Sequence, residues 1–78
     1  MIGKIIHLAK SGRLIIQLTK LASEGQIIID NNNVKIGKIR EIIGSVSTPY
    51  ASASPLIEIT NNHIGKMIGT NKLDTNTN

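Results

Sequence analysis

The chain has 78 residues, no cysteine and a formal net charge of +4. This length allows one domain, and the lack of cysteine excludes a disulfide framework, a thiolate metal site and a cysteine nucleophile. No apolar run approaches the roughly 20 residues that span a bilayer, and charged or polar residues interrupt the N-terminal segment where a signal peptide would need an apolar core. We therefore expect a soluble, intracellular protein that makes no membrane contact.

The first half of the chain predicts a β-hairpin followed by a third strand. Segments 2–9 and 13–19 are rich in aliphatic residues and are separated by a short turn at Gly12. In the second segment Leu14, Ile16 and Leu18 alternate with other residues, which is the period of a strand. A loop over 20–25 ends at Gly25, a third strand covers 26–30, and three asparagines then favour a tight turn.

Residues 34–43 allow two interpretations. Ile36, Ile39 and Ile42 recur at helical spacing, but the segment is β-branched and has Gly37 in its interior, which costs a helix roughly 1 kcal/mol relative to alanine. As a strand, the segment changes phase after Gly37, so that Ile39 and Ile43 take over the inner face. A bulge or bend at a glycine produces such a change, and we favour the bent strand.

The second half continues with short strands and ends in a polar tail. Residues 50–54 form a weak strand that ends at Pro55, residues 56–60 alternate, residues 61–63 turn, and residues 64–69 form the last strand. Five to seven strands at spacings near ten residues indicate a small closed or partly open antiparallel barrel. We assign residues 1–69 to this domain and residues 70–78 to a disordered tail.

Residues suited to catalysis or metal binding are sparse and poorly spaced. His7 and His63 stand alone, the five acidic residues never form a close pair, and no phosphate-binding glycine motif occurs. We expect no catalytic activity, no metal and no cofactor.

One stretch, "IIGSVSTPYASASP" at 42–55, departs from the aliphatic pattern and carries the only aromatic residue, Tyr50. Pro49 fixes its own φ and favours an extended Thr48, which stiffens the loop after Gly44. Tyr50 then either docks on a protein partner, as amphipathic rings on preorganised loops do, or fills the mouth of the barrel. The pattern alone leaves both roles open.

Four segments together resemble a known family: "IGKIIHLAKSGRLII", "IIID", "IGKIREIIGSVSTPY" and the later "SP". They resemble the archaeal form of the glycine-and-arginine-rich accessory subunit of box H/ACA ribonucleoproteins. The likeness spans residues 2 to about 68, and the chain departs from the family pattern at Ile43, Ser45 and Ser54. The resemblance implies a six-stranded split barrel of the translation-factor type. It assigns partner binding to Ile36, Gly37, Ile39, Gly44, Pro49 and Tyr50.

The resemblance also implies a function. We expect a non-catalytic subunit that binds the dyskerin-type pseudouridine synthase and promotes guide-directed rRNA pseudouridylation and substrate turnover. It would be one monomer within a heteromeric ribonucleoprotein of the archaeal cytoplasm, reaching guide RNA only through the complex. The alternative is a small RNA-binding barrel of the ribosome or translation apparatus, for which direct RNA affinity would fall steeply with salt.

Overall fold

A computed structural model describes residues 2–45 and 47–70 of the chain. This part contains six strands, all paired antiparallel. Their bounds are β1 Gly3–Leu8, β2 Leu14–Leu18, β3 Ile27–Ile29, β4 Lys35–Gly44, β5 Pro49–Pro55 and β6 Met67–Thr70. A short 3₁₀ helix, Asn61–His63, precedes β6. No helix of the described residues is long and apolar enough to cross a membrane.

The strands close into a barrel in the order β1-β2-β5-β4-β3-β6, with β6 returning to β1. Each strand therefore has two neighbours, although β4 pairs with β3 only over its first residues and with β5 along most of its length. The predicted fold class, an all-β protein forming a small six-stranded barrel, is confirmed. The hairpin predicted for 2–19 is also confirmed, with Gly12 at φ 91° in the turn between β1 and β2.

The interior of the barrel is aliphatic. Leu14, Ile16 and Leu18 of β2 all face the interior, as their alternation predicted. From β5, which lies between β2 and β4, two alanines face the interior. Gly37 lies where a Cβ atom would come within 2.9 Å of the Ser54 carbonyl oxygen, so the neighbouring backbone occupies its side-chain space. The buried core comprises Ile5, Leu14, Ile16, Leu18, Ile28, Ile36, Ile39, Ala51, Ala53 and Ile68.

The segment 34–43 is a strand, as predicted, but it changes phase twice. Ile36 is an extra residue against β3, and Arg40 is an extra residue against β5. The first bulge moves the inner face from Ile36 to Ile39, as expected. The second moves it from Ile39 to Ile42, which packs against the core, whereas Ile43 is 39% exposed. The expectation that Ile43 faces inward is therefore wrong, because it allowed for one irregularity instead of two.

Residues 56–60 form no strand, which corrects the prediction made from their alternation. Ile57 and Ile59 pack against the core, while Leu56 and Glu58 are exposed. The alternating sequence therefore predicted correctly which side chains are buried, although the segment is not a strand. A strand also needs a partner, and residues 56–60 pair with no strand of the barrel. At the other boundary, Thr70 pairs with Ile28 and ends β6, while the rest of the predicted tail lies outside the described residues.

Candidate partner-binding surface

The hairpin between β4 and β5 is closed by the pair Gly44 and Pro49 and is held by hydroxyl groups. The Thr48 backbone N–H donates to Ser45 Oγ at 3.2 Å, and the same oxygen lies 3.0 Å from Thr48 Oγ1. Ser47 Oγ lies 3.1 Å from Ser45 Oγ. Ser45 thus links both sides of the loop through its side chain.

Gly44 allows the chain to turn into this loop. Its φ of 92° lies in the left-handed region that residues with a side chain rarely adopt. A Cβ atom there would come within 2.7 Å of the Thr48 carbonyl oxygen and 3.6 Å from Cδ1 of Tyr50. The tyrosine ring therefore packs beside the glycine, and the absence of a side chain at Gly44 makes room for the turn.

Tyr50 lies on the outer face of the barrel. Pro49, Ala51 and Ala53 share the buried phase of β5, so Tyr50 takes the opposite phase and is half-buried. Its direct cross-strand neighbours are Gln17 on β2 and Ile43 on β4, both exposed. Of the two roles left open by the sequence, the outward orientation favours an external contact, with Pro49 occupying the inward position beside it.

Arginine side chains cross the same outer face. Arg13 Nη1 donates to Ser52 Oγ at 3.1 Å, and Arg40 Nε donates to Ser54 Oγ at 2.9 Å. A guanidinium has five N–H donors, so each arginine is positioned by a serine while retaining donors for an external acceptor. We call this surface the β5 face; it comprises Arg13, Ile15, Gln17, Lys38, Arg40, Glu41, Ile43, Tyr50, Ser52 and Ser54.

The six residues assigned by the resemblance divide into two groups. Gly44, Pro49 and Tyr50 meet at the hairpin, where only the tyrosine presents a large side chain to the outside. Ile36 and Ile39 are each 1% exposed and belong to the core, and Gly37 is buried against β5. These three therefore support the surface from within, and the two isoleucine side chains are not available to a docked partner.

Sequence reasoning missed the residues that surround Tyr50. Ile43 borders the ring because of the bulge at Arg40, and Arg13 reaches β5 from the turn before β2. The serines at alternate positions of β5 were the available signal, since they mark its outer face.

The two histidines of the described residues belong to β1 and to the 3₁₀ helix. No group of three or more histidine, aspartate or glutamate side chains in residues 2–45 and 47–70 could hold a metal ion. His7 is exposed on β1, and Nδ1 of His63 accepts the Thr60 backbone N–H at 3.0 Å in the cap of the 3₁₀ helix.

Comparison with known proteins adds one distant relative. No family model matches the chain. A protein of Methanothermobacter thermautotrophicus, described only as an uncharacterized protein, is 30% identical over 54 residues. The match covers 69% of this chain and 59% of the relative, so the chain spans less than two thirds of that protein's length. The similarity links the sequence to an archaeal protein and assigns no activity.

Proposed function

We propose that this protein is a non-catalytic subunit that docks through the hairpin end of its β5 face on a dyskerin-type pseudouridine synthase. In this role it promotes guide-directed rRNA pseudouridylation and substrate turnover in an archaeal box H/ACA ribonucleoprotein. The observation that carries the proposal is the position of Tyr50, a half-buried ring held outward beside Gly44 by a hydroxyl-linked hairpin.

The composition of the surface supports a protein partner. Tyrosine and arginine are enriched at the energetic centres of protein interfaces, and a ring restrained before binding loses little entropy on association. Ile43 adds apolar area next to the ring, and Arg13 and Arg40 add charged donors further along the β5 face. The chain needs no catalytic group of its own for this role, because the reaction takes place on the synthase.

The direct test mixes the protein with its cognate synthase in the absence of RNA. We expect an equimolar complex of the two proteins on a sizing column. Independent migration of the two proteins would refute the proposal.

Tyr50→Ala tests the anchor. We expect the complex to weaken by about 2 kcal/mol or more, which is roughly 30-fold in Kd, when measured by calorimetry. Leu56→Ala is the matched control, because Leu56 is 50% exposed and lies at the other end of β5. Urea denaturation of both variants should show an intact fold. A folded Tyr50→Ala variant with unchanged Kd would show that the ring is no anchor, and an unfolded one would assign it to the stability of the barrel.

A further inference from the structure

A cleft of about 560 Å³ opens at the end of the barrel opposite the Ser45–Thr48 loop. This volume lies within the range of roughly 300–1,000 Å³ that is usual for ligand sites. It is lined by His7, Leu8, Ile59, Thr60, Asn61 and Ile64. Neither the hairpin nor the β5 face contributes to it.

Hydrogen bonds hold the walls of the cleft in place. Thr60 caps the 3₁₀ helix, with its side chain accepting the Asn62 N–H while His63 Nδ1 accepts the Thr60 N–H. The segment after the helix is tied to β1, since the Gly65 N–H donates to the Ile5 carbonyl at 2.7 Å. The cleft is therefore formed before any ligand arrives.

The lining combines apolar surface with polar groups that have no partner among the described hydrogen bonds. Leu8 and Ile64 are 43% and 38% exposed, and Ile59 packs against the core beneath. The imidazole of His7 and the side-chain amide of Asn61 take part in none of the described hydrogen bonds. A flat heterocycle with apolar faces and polar edges matches this arrangement.

The turns at the same end of the barrel as the cleft carry several basic residues. We call this region the basic end; it consists of the 9–13 turn, the 30–35 turn and the 56–66 segment, and its cations are Lys10, Arg13, Lys35 and Lys66. Its carboxylates are Glu58 and Asp30, and Asp30 Oδ1 already accepts the N–H groups of Asn32 and Val34. The fold thus gathers at one end half of the eight described lysines and arginines, which are dispersed along the sequence.

From this juxtaposition we propose that the basic end binds single-stranded RNA, with one nucleobase in the cleft and adjacent phosphates on the lysines. Proteins recognise single-stranded RNA by accommodating splayed bases and neutralising the backbone. An acidic peptide would satisfy the charge but would not use the combination of apolar and polar groups in the cleft. Apart from Arg13, which belongs to both, the basic end is separate from the β5 face. RNA would bind there directly, whereas the resemblance implies contact with guide RNA only through the complex.

The test uses the free protein and a fluorescein-labelled single-stranded RNA of about 10 nucleotides, a length in the range such sites cover, followed by anisotropy. Between about 50 and 200 mM salt, we expect log K to fall with a slope near −2, since each of three lysine contacts contributes roughly 0.7. Combining Lys10→Gln with Lys35→Gln should reduce the slope by about 1.4. Lys20→Gln, in the 19–26 loop at the other end of the barrel, is the matched control and should leave it unchanged.

The cleft is tested separately from the charge. His7→Ala and Asn61→Ala should each weaken RNA binding by about tenfold at one salt concentration while leaving the salt slope intact, because they remove base contacts and no cation. Absence of RNA binding at about 50 mM salt would overturn the proposal. Salt-dependent RNA binding that is unchanged in both cleft variants would also overturn it. Binding of polyglutamate as tightly as RNA would overturn it as well, because that result would identify a surface for acidic peptides.

Discussion

Replacing Gly44 with alanine should damage the hairpin more than the same change at Gly12. The two glycines have almost identical backbone geometry, with φ of 92° and 91°. Their surroundings differ: a Cβ atom at Gly12 would meet no atom within 4 Å, whereas at Gly44 it would come within 2.7 Å of the Thr48 carbonyl oxygen. The pair therefore separates the cost of a positive φ from the cost of a steric overlap.

The expected magnitudes follow from these two terms. An alanine held at positive φ costs roughly 1–2 kcal/mol, which should be the whole effect of Gly12→Ala. At Gly44 the overlap requires the Thr48 carbonyl to move, and forced repacking of this kind typically adds about 1–3 kcal/mol. Gly44→Ala should thus destabilise the protein by about 2–5 kcal/mol, and it should also displace the Tyr50 ring, whose Cδ1 lies 3.6 Å from the new atom.

Urea denaturation of the two variants and the wild type measures the difference directly, provided that the m-values agree. In a thermal scan, each kcal/mol should lower Tm by roughly 4–8 °C for a domain of this size. Equal destabilisation by Gly12→Ala and Gly44→Ala would refute the steric argument. It would also remove the reason for regarding Gly44 as the residue that positions Tyr50.

Two further predictions concern the core and the turn after β3. Ile16 is fully buried, so Ile16→Ala should lower the free energy of unfolding by about 2–5 kcal/mol in urea denaturation. Leu21 is 76% exposed, so Leu21→Ala should change it by less than about 0.5 kcal/mol. Similar values for the two variants would contradict the assigned core. The N–H groups of Val34 and, more weakly, Asn32 hold the pKa of Asp30 below its ordinary value of 3.8. The ionised carboxylate therefore stabilises the fold above that pH. This contribution is lost as the pH falls through the folded-state pKa. Asp30→Asn should therefore be less stable than wild type at neutral pH, with the difference shrinking in acid; a difference independent of pH would contradict this reasoning.

The predicted elements that succeeded were those set by local chemistry. Alternation at Leu14, Ile16 and Leu18, the glycine turn at Gly12 and the asparagine turn ending at Asn33, with φ 65°, each follow from the residues themselves. The strand at 34–43 was also recognised over the competing helix. Its second bulge at Arg40 was not, because the sequence there contains no glycine or other mark of an extra residue.

The candidate surface was predictable only in part. The sequence drew attention to Gly44, Pro49 and Tyr50, and the structure brings these three together at one hairpin. The strand pattern expected Ile36 and Ile39 on the inner face in turn, whereas the resemblance assigned both to partner binding, and the register shows that both side chains are buried. The alternate serines of β5 marked the outer face on which the arginines lie, but no local signal indicated the cleft beside His7.

The amino-acid order alone determines the strand type and the turns, because alternation, glycine and asparagine act through the backbone of a few neighbouring residues. The closure of the barrel decides the rest. It leaves residues 56–60 without a partner strand, turns Tyr50 outward between Gln17 and Ile43, and gathers dispersed lysines at one end. These outcomes depend on pairing between strands distant in sequence, which no local pattern encodes.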